Sequence, residues 1–391
     1  MVTITLKPHK EESLLRFHPW VFSGAIARIS GRADEGDVVR VAGSDGRFLG
    51  VGHYQNSSIA VRILSFADRP IDETFYRERI RAAYAARRTL GLVGAPDTDT
   101  YRLVHGEGDN LSGLVVDVYG DTAVMQAHSA GMHNVREMLA QLLADEVEGL
   151  KNVYYKSEGT LPYKAPVTAE DGYLIGSAGD CLATENGLKF QVDWLRGQKT
   201  GFFVDQRENR ALLERYAAGR RVLNMFCYTG GFSFYALRGG AVSVHSVDSS
   251  AKAIELTRRN VALNFGNDER HEAYTEDAFR FLETADGKYD LIVLDPPAFA
   301  KHQKTLRNAL HGYQKLNARA FEAIRPGGIL FTFSCSQAVN KEQFRLAVFS
   351  AAAQSRRNVR ILHQMTQPAD HPINIYHPEG EYLKGLVLYV E

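Results

Sequence analysis

Asn224-Met225-Phe226-Cys227-Tyr228-Thr229-Gly230-Gly231-Phe232-Ser233 decides how this chain is read. The residues that lead into it, Arg221-Val222-Leu223-Asn224-Met225-Phe226, are mostly apolar, as in a strand buried on both faces. Gly230 and Gly231 then open a helix that runs through Leu237. Glycine lets the backbone approach a ligand, and a helix N-terminus favours a carboxylate or phosphate. A second strand, Val242–Val247, ends at Asp248, 18 residues beyond Gly230. An acid at that address accepts the two hydroxyls of an adenosine ribose. The spacing GxGxxG is absent, which weakens a dinucleotide reading. A glycine-rich turn followed by a surface aspartate would look the same.

Outward from this turn the pattern alternates. A helix over Gln206–Tyr216 precedes it; a helix over Ala251–Phe265, a strand over Asp290–Asp295, a helix over Lys315–Ile324 and a strand over Gly328–Ser334 follow. Strands alternating with helices predict an α/β, parallel, doubly wound sheet over residues 205–391. Ligands of such sheets sit at the carboxyl ends of the strands. Three further motifs fall there. Glu276-Asp277-Ala278 follows Ala273-Tyr274, so Asp277 either accepts from an adenine amino group or caps a helix, and both can hold together. In Asp295-Pro296-Pro297-Ala298-Phe299 two prolines stiffen the backbone and remove its donors, which aims Asp295 into the cleft, and Phe299 can stack on a base. Ser334-Cys335-Ser336 puts a thiol at the next strand end, whereas Cys181 and Cys227 read as buried, inert cysteines.

The rest of the chain has another grain. Val2–Leu6, Gly36–Val41, Phe48–Gly52 and Ile59–Leu64 read as short strands with Gly and Asp punctuation, the pattern of a small β-barrel. Asp72 caps a helix through Arg87. A hairpin at Leu114–Tyr119 and Thr122–Gln126, a helix at Val135–Val147 and strands at Val153–Lys156, Tyr173–Ile175 and Leu188–Val192 describe an α+β middle part. The expected domains are 1–68, 69–185 and 186–391. A chain of 391 residues has room for two or three, at ~150 residues each. Net charge is zero, yet residues 71–185 carry ten Lys and Arg against eighteen Asp and Glu, while residues 186–391 carry 27 against 21. No apolar run reaches the ~18–20 residues that span a bilayer, and Met1–Phe22 lacks a signal-peptide core. A cytoplasmic protein without membrane contact is expected. Three cysteines do not make a disulfide framework, and they lack metal spacing; His371, His377 and Glu379 also lack it, so no metal is expected.

These motifs together resemble the bacterial 23S rRNA cytosine-5 methyltransferase family of the large-subunit methyltransferase I type. The resemblance rests on Gln198-Lys199-Thr200-Gly201-Phe202-Phe203-Val204-Asp205-Gln206-Arg207, the Asn224–Gly231 turn, Asp295-Pro296-Pro297-Ala298-Phe299, Ser334-Cys335-Ser336 and Pro378-Glu379-Gly380-Glu381-Tyr382-Leu383-Lys384-Gly385, and covers nearly the whole chain. It implies an N-terminal PUA domain, a central α+β domain and a Rossmann-like class I methyltransferase domain. It implies S-adenosyl-L-methionine as cofactor, and 23S rRNA or a large ribosomal subunit precursor as partner. The oligomeric state stays open, a homodimer included. Cys335 would be the nucleophile and Asp295 would hold the N3/N4 edge of cytosine. Asn224, Phe226, Tyr228, Thr229, Gly230, Asp248 and Asp277 would bind the cofactor, with Asp248 on the ribose and Asp277 on the adenine. Many RNA cytosine-5 methyltransferases carry a second cysteine beside the proline of the Asp-Pro motif; here Pro297 and Ala298 stand there, so only Cys335 is available.

The chemistry suits these residues. C5 of cytosine is a weak nucleophile until a thiolate adds at C6. The base that later removes the C5 proton is not legible. Lys199, Arg207 and Arg210 before the sheet, and Lys301, Lys304 and Arg307 after the Asp-Pro-Pro motif, are candidate phosphate contacts or simply solvated charges. Two other functions compete: a base-nitrogen methyltransferase of the guanine N7 type, which would need no cysteine, and an RNA-binding assembly factor with a relict cofactor site.

Overall fold

In the computed structural model, residues 1–162, 169–177, 179, 181–300 and 303–391 are described. They divide into two units: Met1–Gly187 with Val192–Val204 and Ala369–Gly380, and Leu188–Gln191 with Asp205–Pro368 and Glu381–Glu391. The chain therefore passes between units several times.

The second unit is built on seven strands: β1 (Arg221–Met225), β2 (Ser243–Asp248), β3 (His271–Thr275), β4 (Tyr289–Leu294), β5 (Ile324–Ser334), β6 (Val359–Met365) and β7 (Lys384–Val390). They lie in the order β3-β2-β1-β4-β5-β7-β6. The first five are parallel, and β7 runs against both β5 and β6. The all-parallel expectation is corrected there. Strand direction at a sheet edge depends on a pairing that no local pattern carries. The register has a direct consequence for function. Met225 pairs with Val247 and with Leu294, Leu294 pairs with Thr332, and Asp248 pairs with Thr275. The carboxyl ends of five strands thus finish level, and the chain leaves each of them on one edge.

Helix α1 (Arg207–Ala217) precedes β1, and among the described residues five helices connect the strands: α2 (Gly231–Arg238), α3 (Ala251–Phe265), α4 (Ala278–Glu283), α5 (Leu306–Ala323) and α6 (Lys341–Ser355). Their starts are chemically marked. Ser250 accepts from Ala253 N, Asp277 caps α4, and Asn340 forms a reciprocal capping box with Gln343. The helix expected at Lys315–Ile324 starts earlier, at Leu306, and its first turns bury Ala309 and Tyr313. Leu223, Met225, Leu294, Phe321 and Leu330 are fully buried in one core under α4, α5 and α6.

In the first unit a six-stranded sheet runs in the order Trp20–Phe22, Ile59–Ser65, Phe48–Tyr54, Val38–Ala42, Thr3–Leu6, Ile26–Ser30. Ile4, Leu6, Val39, Val41, Val61 and Ile63 form its core. The strands at 20–22 and 26–30 are additional to the sequence reading; both are short and neither alternates cleanly. Gly52 is obligatory, since a Cβ there would lie 2.0 Å from the Arg62 carbonyl oxygen. A five-stranded sheet follows, in the order Gly172–Ile175, Asn152–Tyr155, Thr122–Ala127, Leu114–Tyr119, Thr100–His105. The helix Glu73–Thr89 starts where Asp72 accepts from Phe75 N at 3.1 Å. Its buried Arg87 donates to Asp109, to the Arg102 carbonyl at 2.7 Å and to the Asp370 carbonyl at 2.7 Å, which satisfies a charge in the core.

Candidate functional site

The turn after β1 has an unusual backbone. Phe226 and Tyr228 take φ of 57° and 48°, and Gly230 takes 87°. Left-handed conformations at two bulky residues cost energy and persist only where neighbours enforce them. Contacts from β2 and α3 enforce them here. Tyr228 N donates to Asp248 Oδ2 at 3.0 Å, and Thr257 Oγ1 donates to the Tyr228 carbonyl at 2.9 Å. A Cβ on Gly230 would lie 2.6 Å from Phe234 and 2.7 Å from Thr257. Asp248 also accepts from Ser250 N at 2.9 Å, so both of its oxygens are oriented by the backbone and keep one lone pair each. Asn224 and Thr229 are buried beneath the turn; Asn224 Nδ2 donates to Ser233 Oγ at 2.9 Å. They shape the turn from below, while Phe226, Tyr228 and Asp248 stay partly exposed. Asp277 is exposed at the end of β3, and its Oδ1 accepts from Phe279 N and Arg280 N, which leaves Oδ2 outside the cap. An oriented carboxylate at the end of β2, a tight turn beside it after β1 and a second acid on its other side after β3 form a donor set that fits a nucleoside with a charged tail.

Beside it, at the ends of β4 and β5, lies a second group. Gln206 Nε2 donates to Asp295 Oδ2 at 3.0 Å, and Asn209 holds that Gln206 through its Oε1 at 2.6 Å. Part of Asp295 still reaches the surface, but its carboxyl is desolvated. Burial first, and the Asp205 carboxylate second, push it up to about 7, against the pull of Gln206 and Arg210. Asp205 takes the Tyr382 hydroxyl on Oδ2 at 2.7 Å, and its buried Oδ1 has no hydrogen bond. Cys335 Sγ lies 4.0 Å from the Pro296 carbonyl oxygen, so the thiol and Asp295 belong to one site. Ser336 Oγ receives Ala300 N at 3.3 Å and meets the Tyr313 hydroxyl at 2.9 Å. Phe299 is half-buried and packs on Tyr313 with ring centroids 4.6 Å apart. Cys227 is buried, and burial pushes its thiol far up, so it is inert.

The basic candidates separate. Lys199 is exposed and belongs to the first unit. Arg207 and Arg210 belong to the second and are buried, with Arg210 lying under Gly231. Neither guanidinium faces bulk solvent, so a phosphate meets them only by entering the site. Lys304 and Arg307 are exposed, and Lys301 lies outside the described residues. Asp205, Gln206, Tyr382, Tyr313 and Lys384 are site residues whose roles the sequence does not announce. The Gln198–Arg207 and Pro378–Gly385 motifs contain four of them, which is the signal that could have found them.

One cluster of metal-ligand type occurs among the described residues: His18, His377 and Glu379 in the first unit. His371, by contrast, pairs with Asp370. Trp20 N donates to His18 Nδ1 at 3.2 Å, which puts the ring proton on Nε2, 3.4 Å from Glu379. That arrangement is a hydrogen-bonded pair, and a metal would have to displace its proton. Among the described residues no helix is long and apolar enough to cross a membrane.

Comparison with known proteins bears on the family and the fold. Residues 171–375 match the family model of S-adenosylmethionine-dependent methyltransferases, and residues 4–66 match a PUA-like domain. A "Ribosomal RNA large subunit methyltransferase I" from Shewanella denitrificans is 42% identical, over 100% of this chain and 99% of that protein. The protein of the same name from Tolumonas auensis is 40% identical, over 99% and 98%. Among solved structures, a putative SAM-dependent methyltransferase from Streptococcus mutans superposes with a TM-score of 0.85 at 23% identity, each chain covered completely. A putative methyltransferase crystallised with SAH gives 0.86, also at 23% identity over both chains.

Proposed function

We propose, for a chain that belongs to the S-adenosylmethionine-dependent methyltransferases and within them to the family of the ribosomal RNA large subunit methyltransferases I, that it methylates C5 of a cytosine in 23S rRNA through a covalent Cys335 adduct. The fold is a class I methyltransferase fold with a PUA-like N-terminal domain. S-adenosylmethionine supplies an electrophilic methyl group. The observation that carries the finer reading is the Cys335 thiol beside the Asp295 loop, because a ring nitrogen is nucleophilic already and needs no thiol.

On this reading Asp248 accepts from the ribose hydroxyls and Asp277 from the adenine edge, with Phe226, Tyr228 and Gly230 lining the rest. Asn224 and Thr229 support that turn. Phe299 stacks on the target base. Asp295, held up to about 7 and steadied by Gln206, retains a proton near neutral pH and gives it to N3 as Cys335 adds to C6. C5 becomes enamine-like and takes the methyl group. A base then takes the C5 proton, the C6–S bond breaks so that Cys335 leaves as the thiolate, and Asp295 recovers its proton from N3. Residues 4–66 and Lys199 contribute to holding structured RNA, and Arg207 meets a phosphate only inside the cleft. The chain's separate tasks divide at residues 68 and 185.

The test is the product. Purified protein given 23S rRNA and labelled methyl donor yields 5-methylcytidine on nucleoside mass analysis. A methylated guanine in its place would establish the base-nitrogen reading, and no methylated nucleoside from cofactor-binding protein would establish the assembly-factor reading.

A further inference from the structure

Lys384 is an odd residue to find where it is. It is the first residue of β7, it is 4% exposed, and it stands directly across from Ser334 in the antiparallel register. Its Nζ donates to the Ser336 carbonyl at 2.7 Å and to the Tyr382 carbonyl at 2.7 Å. The lysine therefore grips the residues on both sides of Cys335, one through the backbone ladder and one through its side chain. An ammonium has three protons. Two are spent on neutral carbonyls, and among the described residues no carboxylate hydrogen-bonds it. A buried charge without a counter-charge is costly, so a partner is expected nearby.

The charged groups around Lys384 leave one candidate. Glu381, just before β7, is engaged by Lys341 at the start of α6. Asp295 is held by Gln206, and Asp205 by Tyr382. Tyr313, on α5, faces Ser334, Cys335 and Ser336 with a hydroxyl that burial pushes above its usual value, so it stays neutral. Cys335 remains. Burial pulls Lys384 down to about 8, and Cys335 is the first of the groups that pull it back up, ahead of Glu381.

We propose that Lys384 is the positioning residue of the nucleophile: its ammonium fixes the Cys335 turn and is the counter-charge of the Cys335 thiolate. The inference rests on the reading of Cys335 as the nucleophile. It supplies what that reading lacks, a reason for the thiol to ionise. A thiolate adds to a ring carbon and a thiol does not.

The test reads the thiol directly, in the full-length protein without RNA. Iodoacetamide alkylation of Cys335 is followed by mass spectrometry of its peptide from pH 5.5 to 10. In the wild type the midpoint falls below the ~8.5 of a free cysteine. Lys384→Met raises it by one unit or more, which cuts the thiolate fraction at neutral pH about tenfold. Lys384→Gln, which keeps a neutral donor for the Ser336 carbonyl, raises it as Met does. A wild-type midpoint at or above that of free cysteine, or an unchanged midpoint in the Gln variant, overturns the proposal; the wild-type measurement decides even where a variant does not fold. Trapping on RNA carrying 5-fluorocytosine separates the two readings. Wild type that is trapped but shows no Lys384 effect loses only this inference. A midpoint that moves in a protein never trapped keeps the ion pair and loses the cytosine reading.

Discussion

Replacing Asp248 by Asn changes a single charge and almost no volume, and it tests the cofactor half of the site. Both carboxylate oxygens of Asp248 already accept a backbone amide, from Tyr228 at 3.0 Å and Ser250 at 2.9 Å. One lone pair per oxygen is left for the two ribose hydroxyls. A hydrogen bond to a charged acceptor is worth about 1.5–3 kcal/mol. Asn loses the charge at both, and its amide nitrogen cannot accept at all. The expected loss is about 2–4 kcal/mol, or a Kd weakened about 30- to 1000-fold. Calorimetry with S-adenosylhomocysteine measures it, with thermal melting as a control, since the variant also gives up one of the bonds that orient the turn. Unchanged affinity in a folded Asp248→Asn protein would refute the assignment.

Two further outcomes follow from titrating groups. Turnover should fall as pH rises through about 7, because Asp295 then loses the proton it gives to N3. Asp205→Asn removes the repulsion that holds this carboxyl up, so the alkaline limb moves to lower pH; a limb that stays in place or moves higher contradicts the pairing. In the first unit, His53 is buried, shares a hydrogen bond with the Tyr76 hydroxyl at 3.0 Å and is pushed down to about 4 by burial and by Arg62. Its folded value lies below its unfolded one, so the native state loses about 1.4 kcal/mol per pH unit from this group as pH falls from 6.5 towards 4. An NMR titration that finds His53 protonating at its ordinary value would count against this.

Much of the second unit was legible because its signals are local. An apolar strand followed by a glycine turn, and acids at successive strand ends, are written in consecutive residues, and parallel register then brings them to one edge. Asp277 illustrates two roles on one side chain: its Oδ1 caps α4 while Oδ2 stays outside the cap. Arg207 shows the limit of reading charge as exposure. It sits on the face of α1 that turns inward, and α1 carries arginines on more than one face. β7 could not be read as reversed, nor Lys384 as buried against the Ser334–Ser336 turn, since both depend on pairing between segments about 50 residues apart. The Trp20–Phe22 and Ile26–Ser30 strands were missed because their burial patterns lack alternation.

The central claim is a covalent bond between Cys335 and C6 of a cytosine, and trapping measures it most directly. Wild-type protein is incubated with methyl donor and a 23S rRNA fragment carrying 5-fluorocytosine at the target. Fluorine occupies the position whose proton must leave before Cys335 is expelled, so the adduct cannot resolve. The account predicts a protein–RNA complex that survives denaturation, whose crosslinked peptide contains Cys335, and which is absent from a Cys335→Ser variant that still binds cofactor. Wild type that forms no such complex on a fragment whose unfluorinated form it methylates, or a Cys335→Ser variant with near-normal turnover, would contradict it.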